Sequence, residues 1–258
     1  VVDGMSLDID SKNKKLNVLV MGGCEPRKNF GIVIEAIEKL PEKYKHKIHL
    51  NIAGRIYSGP YSTSILDSVN KNDNISYLGE IDNLTDKINL YKETDIVIVP
   101  STDESCSLVT LEGIMMGCPV IVSKNVGAKY VVDDNVGWIF DTNNSDDLCE
   151  ILQNVLSIGA DLPEMGRAAR KKYLETSNMD IYRQNILNIV QKSIAASAVP
   201  KLLVHLHLYY EAQLDYMLSK LSNISGCDWD LYVTVPHTTN HKILSKIQRF
   251  KPDVKFIY

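Results

Sequence analysis

The sequence has little of what marks several large protein classes. It carries 28 Lys and Arg against 32 Asp and Glu, a net charge of −4, and without a basic excess it is not expected to bind nucleic acid. No run of about 18 apolar residues occurs, which predicts no membrane-spanning helix. The five cysteines are widely spaced without a C-x-x-C pair, which argues against a disulfide framework and a cysteine zinc site. We therefore expect a cytoplasmic protein with no bound metal.

What is present is an alternation of short apolar runs with helical patterns. The predicted strands are LNVLVM, KIHLNIAG, ISYLG, DIVIVP, PVIVS and VGWIF. The predicted helices cover residues 29–40, 62–69, 84–91 and 107–116, with three more between 145 and about 193. Apolar strands that alternate with helices indicate an α/β fold with a doubly wound parallel sheet, a Rossmann-like unit. Ligands of such sheets bind at the carboxyl ends of the strands.

A change in pattern near residues 195–200 divides the chain. This stretch is small and apolar and ends at Pro200, which resists continuing a helix. Residues 201–258 then repeat a β-α-β-α-β pattern with 7 basic and 5 acidic residues, net +2, whereas residues 1–200 carry 21 and 27, net −6. We predict a main domain of residues 1–196 and a smaller, incomplete α/β unit of residues 197–258.

The first stretch with binding chemistry is MGGCEPRKN, directly after the first predicted strand. Gly22 and Gly23 allow a tight turn and a close approach of backbone to a ligand. Arg27 and Lys28 follow at a predicted helix start, and two cations at a helix amino end form a phosphate site. The alternative is that both are solvated surface charges, but cations at that end oppose the helix dipole. We favour the phosphate site.

The second stretch, PSTDESCSLVTLEG, follows the fourth predicted strand. Glu104 and Glu112 are eight positions apart, about 12 Å if the segment is helical. That span matches the distance from a nucleotide ribose to the sugar beyond its diphosphate, with free N–H groups of residues 105–108 between them for a phosphate. The alternative is that Glu104 is a helix-start acid and Glu112 a surface residue, and the pair alone favours neither.

These stretches together resemble the family 4, or group 1, glycosyltransferases. PSTDESCSLVTLEGIMMGCPVIVSKNVGAKYVVDDNVGWIFD is similar to that family's E-x7-E region, and MGGCEPRKNF resembles its phosphate loop. The similarity covers about residues 12–195. It implies the GT-B architecture, in which two Rossmann-like halves enclose the active site and the carboxyl half binds a nucleotide sugar. Because the chain begins at Val1 rather than Met and resembles that half, we expect a piece of a longer protein.

The resemblance implies roles for individual residues. Arg27 and Lys28 would neutralise the donor diphosphate and act with Glu104, which contacts the transferred sugar, while Glu112 holds the ribose. The segment 79–81 would lie near the base. Together with the residue patterns, it predicts a donor site at Gly22, Gly23, Gly79, Ile81, Ser105, Cys106, Ser107, Leu108, Val109 and Glu112. The resemblance implies no metal and no cofactor, since the nucleotide sugar is a substrate.

The implied function is that of the donor-binding half of a retaining glycosyltransferase of bacterial cell-surface polysaccharide synthesis. Its partners would be a nucleotide sugar and a glycan acceptor held by an amino-terminal half. Peripheral membrane association of the parent protein is one further prediction. The alternatives are a GT-B nucleotide-sugar epimerase and a non-catalytic binding module. Gly23 and Ser107, which depart from the family's usual Arg and Gly, suggest the binding module. We interpret Cys106, in place of an aromatic, as a small apolar filler rather than a reactive thiol.

The stretch KLLVHLHLYYEAQLDYMLSKLSNI with DWDLYVTVP resembles the start of the rhamnan-synthesis F family, which takes part in cell-wall polysaccharide assembly. It implies that residues 197–258 begin a second glycan-assembly domain. His205 and His207 lie on one face of a predicted strand and could ligate a metal. Without a third ligand nearby in the sequence, we favour two hydrogen-bonded strand histidines.

Overall fold

The first sheet follows from six apolar strands, each joined to the next by a crossover. The structure is a computed structural model that describes residues 15–159, 161–196, 201–208, 211–236 and 239–257. The strands are β1 (Leu16–Met21), β2 (Ile48–Ala53), β3 (Ile75–Tyr77), β4 (Ile96–Val99), β5 (Val120–Ser123) and β6 (Gly137–Phe140). All pair in parallel in the order β3-β2-β1-β4-β5-β6. This reversal of strand order between β1 and β4 is the switch point at which such sheets bind ligands.

Helices cover both faces of this sheet. They are α1 (Phe30–Lys39), α2 (Glu42–Lys45), α3 (Pro60–Lys71), α4 (Leu84–Lys92), α5 (Leu108–Met115), α6 (Ser145–Asn154), α7 (Leu162–Thr176) and α8 (Met179–Ala196). Right-handed crossovers put α1 and α3 on one face and α4 and α5 on the other. The apolar cores follow this division: Ile34, Ile65 and Leu152 belong to one, and Tyr91 and Ile114 to the other.

The central strands are buried on both faces. Every residue of β4, Ile96–Val99, and of β5, Val120–Ser123, is buried, which accounts for their continuous apolar sequence. Each fully buried Val or Ile side chain contributes about 1.5–3 kcal/mol of transfer free energy. The ends of these strands are thereby fixed in position, and the loops after them can carry the site.

A second unit follows. It consists of β7 (Lys201–His207), α9 (Leu214–Leu221), β8 (Asp228–Thr234), α10 (His241–Phe250) and β9 (Lys255–Ile257). The three strands are parallel in the order β7-β8-β9, and they share a core that includes Leu218, Leu231 and Ile247.

The doubly wound parallel α/β fold and the smaller β-α-β-α-β unit are confirmed. Chain contacts divide the protein into units of residues 1–181 and 182–258, with the division inside α8. The predicted domain boundary lies at residues 196 and 197, and residues 197–200 are outside the described part, so that boundary stays a prediction.

Within the described part of the chain, no helix is both long and apolar enough to cross a membrane.

Candidate functional site

The glycine loop after β1 lies against the loop after β2. Gly22 has a φ of 142°, and a Cβ on Gly54 would lie 1.9 Å from the Gly22 carbonyl oxygen. Gly54 has a φ of 130° and donates its N–H to the carbonyl of Gly79 at 2.8 Å. A side chain at Gly54 would therefore separate the loops, and glycine is required there. The three loops after β1, β2 and β3 meet at one edge of the sheet.

Arg27 and Lys28 do not lie in the first turn of α1. They belong to a short 3-10 turn, Pro26–Lys28, and α1 begins only at Phe30, after Asn29 has taken a left-handed φ of 53°. The predicted helix start at these two cations is therefore wrong in detail. The turn nevertheless brings the Lys28 side chain over the loop, where a Cβ on Gly22 would lie 3.6 Å from its Cε.

Glu104 joins the two cations. Its Oε2 accepts hydrogen bonds from Lys28 Nζ, from Arg27 Nη1 at 3.3 Å and from Ser101 Oγ at 3.4 Å. Burial alone would raise the pKa of the Glu104 carboxyl, but the Lys28 hydrogen bond and the charges of Lys28 and Arg27 outweigh it and hold this pKa below its ordinary value. Glu104 is therefore a carboxylate at neutral pH, held between two cations.

The loop that carries Glu104 is extended, not helical. Glu104 forms an isolated bridge with Val126, and its carbonyl accepts the N–H of Gly127 at 2.7 Å. A Cβ on Gly127 would lie 2.0 Å from the Ser105 carbonyl oxygen, so the loop packs directly on the backbone after β5. Helix α5 starts at Leu108, and the predicted 12 Å helical rise from Glu104 to Glu112 does not apply to this loop.

The amino end of α5 follows directly. Ser107, with a φ of 156°, is the N-cap, and its Oγ accepts the N–H of Thr110 at 3.2 Å. The other first N–H groups of a helix have no acceptor within it. Leu108 is exposed and Val109 half-buried.

Cys106 is exposed as well, so its predicted role as an apolar filler is wrong, because a filler would be buried.

Glu112 lies on the next turn of α5 and is held by α4. Its Oε1 accepts a hydrogen bond from Lys87 Nζ at 2.5 Å, and its Oε2 accepts one from the Tyr91 hydroxyl at 2.8 Å. Tyr91 is 2% exposed. Its burial, together with the charge and hydrogen bond of Glu112, raises the pKa of the Tyr91 hydroxyl above its ordinary value, so it stays a donor.

A cavity of about 350 Å³ lies at the carboxyl ends of the first three strands. Its lining residues come from the loops after the first three strands and from α4: Met21, Gly22, Gly23, Gly54, Arg55, Tyr57, Glu80, Ile81 and Lys87. The Lys28 side chain covers Gly22 on one side, and Lys87 connects the cavity to Glu112 on the other. Lys28 and Glu112 thus each lie beside a residue that lines the cavity, while neither they nor Arg27 line it themselves.

The structure brings the predicted site residues together in part, with Arg27, Lys28 and Glu104 in one cluster and others at the cavity. Gly22, Gly23 and Ile81 line the cavity, and Gly79 directly precedes Glu80 in the same loop. Three residues at the site, Lys87, Tyr91 and Tyr57, were not predicted from the sequence. Nothing in the sequence joins α4 to α5, since their contact depends on both crossing the same face of the sheet.

The sequence of this chain matches a known protein family. The family model described as "Glycosyl transferases group 1" matches residues 7–172, more than half of the chain. The chain belongs to this family. An uncharacterised glycosyltransferase of Methanocaldococcus jannaschii is 26% identical over 174 residues, which cover 67% of this chain and 44% of that protein. The lipopolysaccharide glucosyltransferase WaaG of Escherichia coli is 24% identical over 148 residues, 57% of this chain and 38% of WaaG.

Solved glycosyltransferase structures share the fold. HepE from Anabaena in complex with UDP superposes with a TM-score of 0.60 at 18% identity, over 69% of this chain and 49% of HepE. The fold is that of GT-B glycosyltransferases. The chain spans about half the length of this structure and less than half of each relative named above.

One of the two histidines of β7, His205, has a partner on β8. His205 Nε2 lies 2.7 Å from Thr234 Oγ1 on β8, the arrangement expected of hydrogen-bonded strand histidines. Among the residues described, no three His, Cys, Asp or Glu side chains are grouped so that they could hold a metal ion.

Proposed function

We propose that this glycosyltransferase chain is the donor-binding half of a retaining enzyme that moves a sugar from a nucleotide sugar to a glycan acceptor. The observation that carries the proposal is a cavity at the carboxyl ends of the strands with Lys28 beside its lining residue Gly22 and Glu112 paired with its lining residue Lys87. Arg27 and Lys28 meet at Glu104. HepE, a structural neighbour, is described in complex with UDP and with UDP-glucose. The acceptor would be held by an amino-terminal half, as in other two-domain members.

The diphosphate lies between the glycine loop and the start of α5 in this proposal. Arg27 and Lys28 supply positive charge, and the N–H groups of Ser105, Cys106 and Leu108 donate to phosphate oxygens. Since the bond to the sugar breaks with charge developing on the diphosphate, fixed cations aimed there lower the barrier. Glu104 holds both cations in place and then contacts the sugar hydroxyls.

The nucleoside occupies the cavity itself. Glu112 accepts hydrogen bonds from the ribose hydroxyls, and the base lies against the segment of Gly79 and Ile81. Base, ribose, diphosphate and sugar are thereby assigned to Ile81, Glu112, Lys28 and Glu104 in turn. No metal is part of this proposal, in which Arg27 and Lys28 face the diphosphate with their positive charge.

Isothermal titration calorimetry of the full 258-residue chain with UDP, GDP and ADP tests this proposal. At least one nucleoside diphosphate is expected to bind. Lys28→Met should weaken that binding by about tenfold or more, because a charge-assisted hydrogen bond contributes about 1.5–3 kcal/mol. Lys92→Met, an exposed lysine on α4, is the matched control and should bind as the wild type does. Failure of all three diphosphates to bind would refute the proposal.

Finer parts of the function stay predictions. They are the retention of anomeric configuration, a role in cell-surface polysaccharide synthesis, the cytoplasmic location, peripheral membrane association and the rhamnan-synthesis F-like nature of residues 197–258. In the intact parent protein, analysis of the product anomer by NMR would test the first of these. Release of nucleotide in the absence of any acceptor would instead indicate an epimerase.

A further inference from the structure

The polar side chains around Glu112 form a group of three. Lys87 and Tyr91 lie four residues apart on α4, on the same face of that helix, and each contacts a different oxygen of the Glu112 carboxylate. Tyr91 and Ile114 belong to one apolar core, which packs α4 beside α5. The group is therefore anchored by buried packing at one end and borders the cavity through Lys87 at the other.

We infer that Lys87 and Tyr91 are positioning residues, which orient the Glu112 carboxylate so that each of its oxygens keeps one acceptor site for a vicinal diol. They would thereby set the preference of the site for ribose over 2′-deoxyribose. The inference rests on the proposed function and adds two residues to it. Neither residue needs to touch the ligand for this role.

The geometry supplies the physical reason. A carboxylate has about four acceptor positions, two on each oxygen, and the contacts with Lys87 and Tyr91 use one on each side. An unheld glutamate side chain would lose rotamer freedom when it is fixed by a ligand. With both oxygens already held, this cost is met before the diol binds. The carboxylate plane is also fixed, which bidentate acceptance requires.

The role of charge differs between the two residues. Lys87 compensates the negative charge of Glu112, whose side chain is only 24% exposed. Tyr91 contributes no charge, and its hydroxyl is buried beside the carboxylate. Tyr91→Phe therefore removes one hydrogen bond and leaves the packing in place, whereas Lys87→Met removes the compensating charge at a site open to solvent.

Calorimetric titration of the full chain with UDP and with 2′-deoxy-UDP tests the inference. If GDP or ADP binds better than UDP, that diphosphate and its 2′-deoxy analogue are used instead. We expect the wild type to prefer the ribose form by about tenfold, the effect of one well-oriented hydrogen bond to a carboxylate. Tyr91→Phe and Lys87→Met should each reduce this ratio to about threefold or less. Tyr91→Phe should leave binding of the deoxy form within about twofold, whereas Lys87→Met also removes a cation from the cavity wall and weakens both forms, the ribose form more. Lys87→Arg, which keeps the charge and the donor, should restore most of the ratio.

Two matched controls accompany these variants. Lys92→Met removes an exposed lysine from the same helix, and Tyr61→Phe removes a hydroxyl that accepts a hydrogen bond from Gly31 at 3.2 Å on the opposite face of the sheet. Both should keep the wild-type ratio. Melting temperatures of all variants show whether each is folded, and the solvent-accessible Lys87→Met keeps the test valid if Tyr91→Phe unfolds.

The outcomes separate the inference from the function. If the wild type binds none of the diphosphates, the proposed function fails, and the inference fails with it. If the wild type binds but does not discriminate between ribose and deoxyribose, donor binding stands, and the inference is overturned together with the ribose contact of Glu112. Equal weakening of both ligands by Tyr91→Phe and Lys87→Met would also overturn it, because a merely structural role lowers both affinities together.

Discussion

Ser107 combines an unfavourable backbone conformation with a favourable side-chain contact. Its φ of 156° lies in a region that non-glycine residues rarely adopt. Ser107 is only 5% exposed, so the atoms packed around it keep the backbone in this conformation. Such strain costs about 1–3 kcal/mol. Against this, the hydrogen bond from Thr110 N–H to Ser107 Oγ caps α5, and replacing an N-cap serine costs about 1 kcal/mol for alanine but only a few tenths for glycine.

Two substitutions at this position separate the effects. Ser107→Gly relieves the strain, keeps most of the capping energy and loses about 0.4–1 kcal/mol to the greater freedom of the unfolded chain. Ser107→Ala keeps the strain and loses the cap. We therefore expect the glycine variant to be more stable than the alanine variant by about 1–3 kcal/mol.

The measurement is urea unfolding followed by tryptophan fluorescence. The chain has two tryptophans, Trp138 in β6 and Trp229 in β8, so a Trp229→Phe background makes the signal report the first sheet alone. The expected difference also corresponds to about 2–4 °C in melting temperature per kcal/mol. A glycine variant no more stable than the alanine variant would refute the strain argument.

Two further predictions concern charge and backbone contact. Because the folded state lowers the pKa of Glu104, its carboxylate stabilises the protein above the unfolded pKa of about 4.3 and loses this effect as the pH falls through the lower folded value. The stability advantage of wild type over Glu104→Gln, measured by urea unfolding, should therefore shrink below about pH 4.3, and parallel pH profiles would contradict this. Gly54→Ala, whose Cβ would lie 1.9 Å from the Gly22 carbonyl oxygen, should cost about 3 kcal/mol or more, whereas Gly23→Ala, which meets only the half-exposed Tyr57 ring at 2.7 Å, should cost about 1 kcal/mol or less. Equal losses in the two alanine variants would show that the loop contact at Gly54 is not rigid.

The sequence predicted the sheet well because its signals are local. The continuous apolar run in β4, the helical spacing in α1 and the glycines after β1 are each readable within a few residues, and all were found at or near their predicted positions. Helix ends were less accurate: α5 starts at Leu108, and Arg27 and Lys28 lie before α1 instead of in it. These ends depend on capping and on contacts with neighbouring loops.

The candidate site could be anticipated only in part. Arg27, Lys28, Glu104 and Glu112 come from two sequence stretches, each next to a predicted strand end, where parallel sheets bind ligands. Lys87 and Tyr91 carry no such signal, since a lysine and a tyrosine four residues apart on a helix are ordinary surface and core residues. Their meaning follows only from α4 lying beside α5 on one face of the sheet.

By itself, the sequence determined the α/β class, the order of strands and helices, and the two charged stretches, because these rest on periodicity and on residue types next to one another. Only the tertiary structure decided that Glu104 lies between Arg27 and Lys28, and that Glu112 is held by Tyr91 and Lys87. The physical reason is that such contacts join segments up to 77 residues apart. The crossovers and the packing of helices on the sheet, and no local preference, bring those segments together.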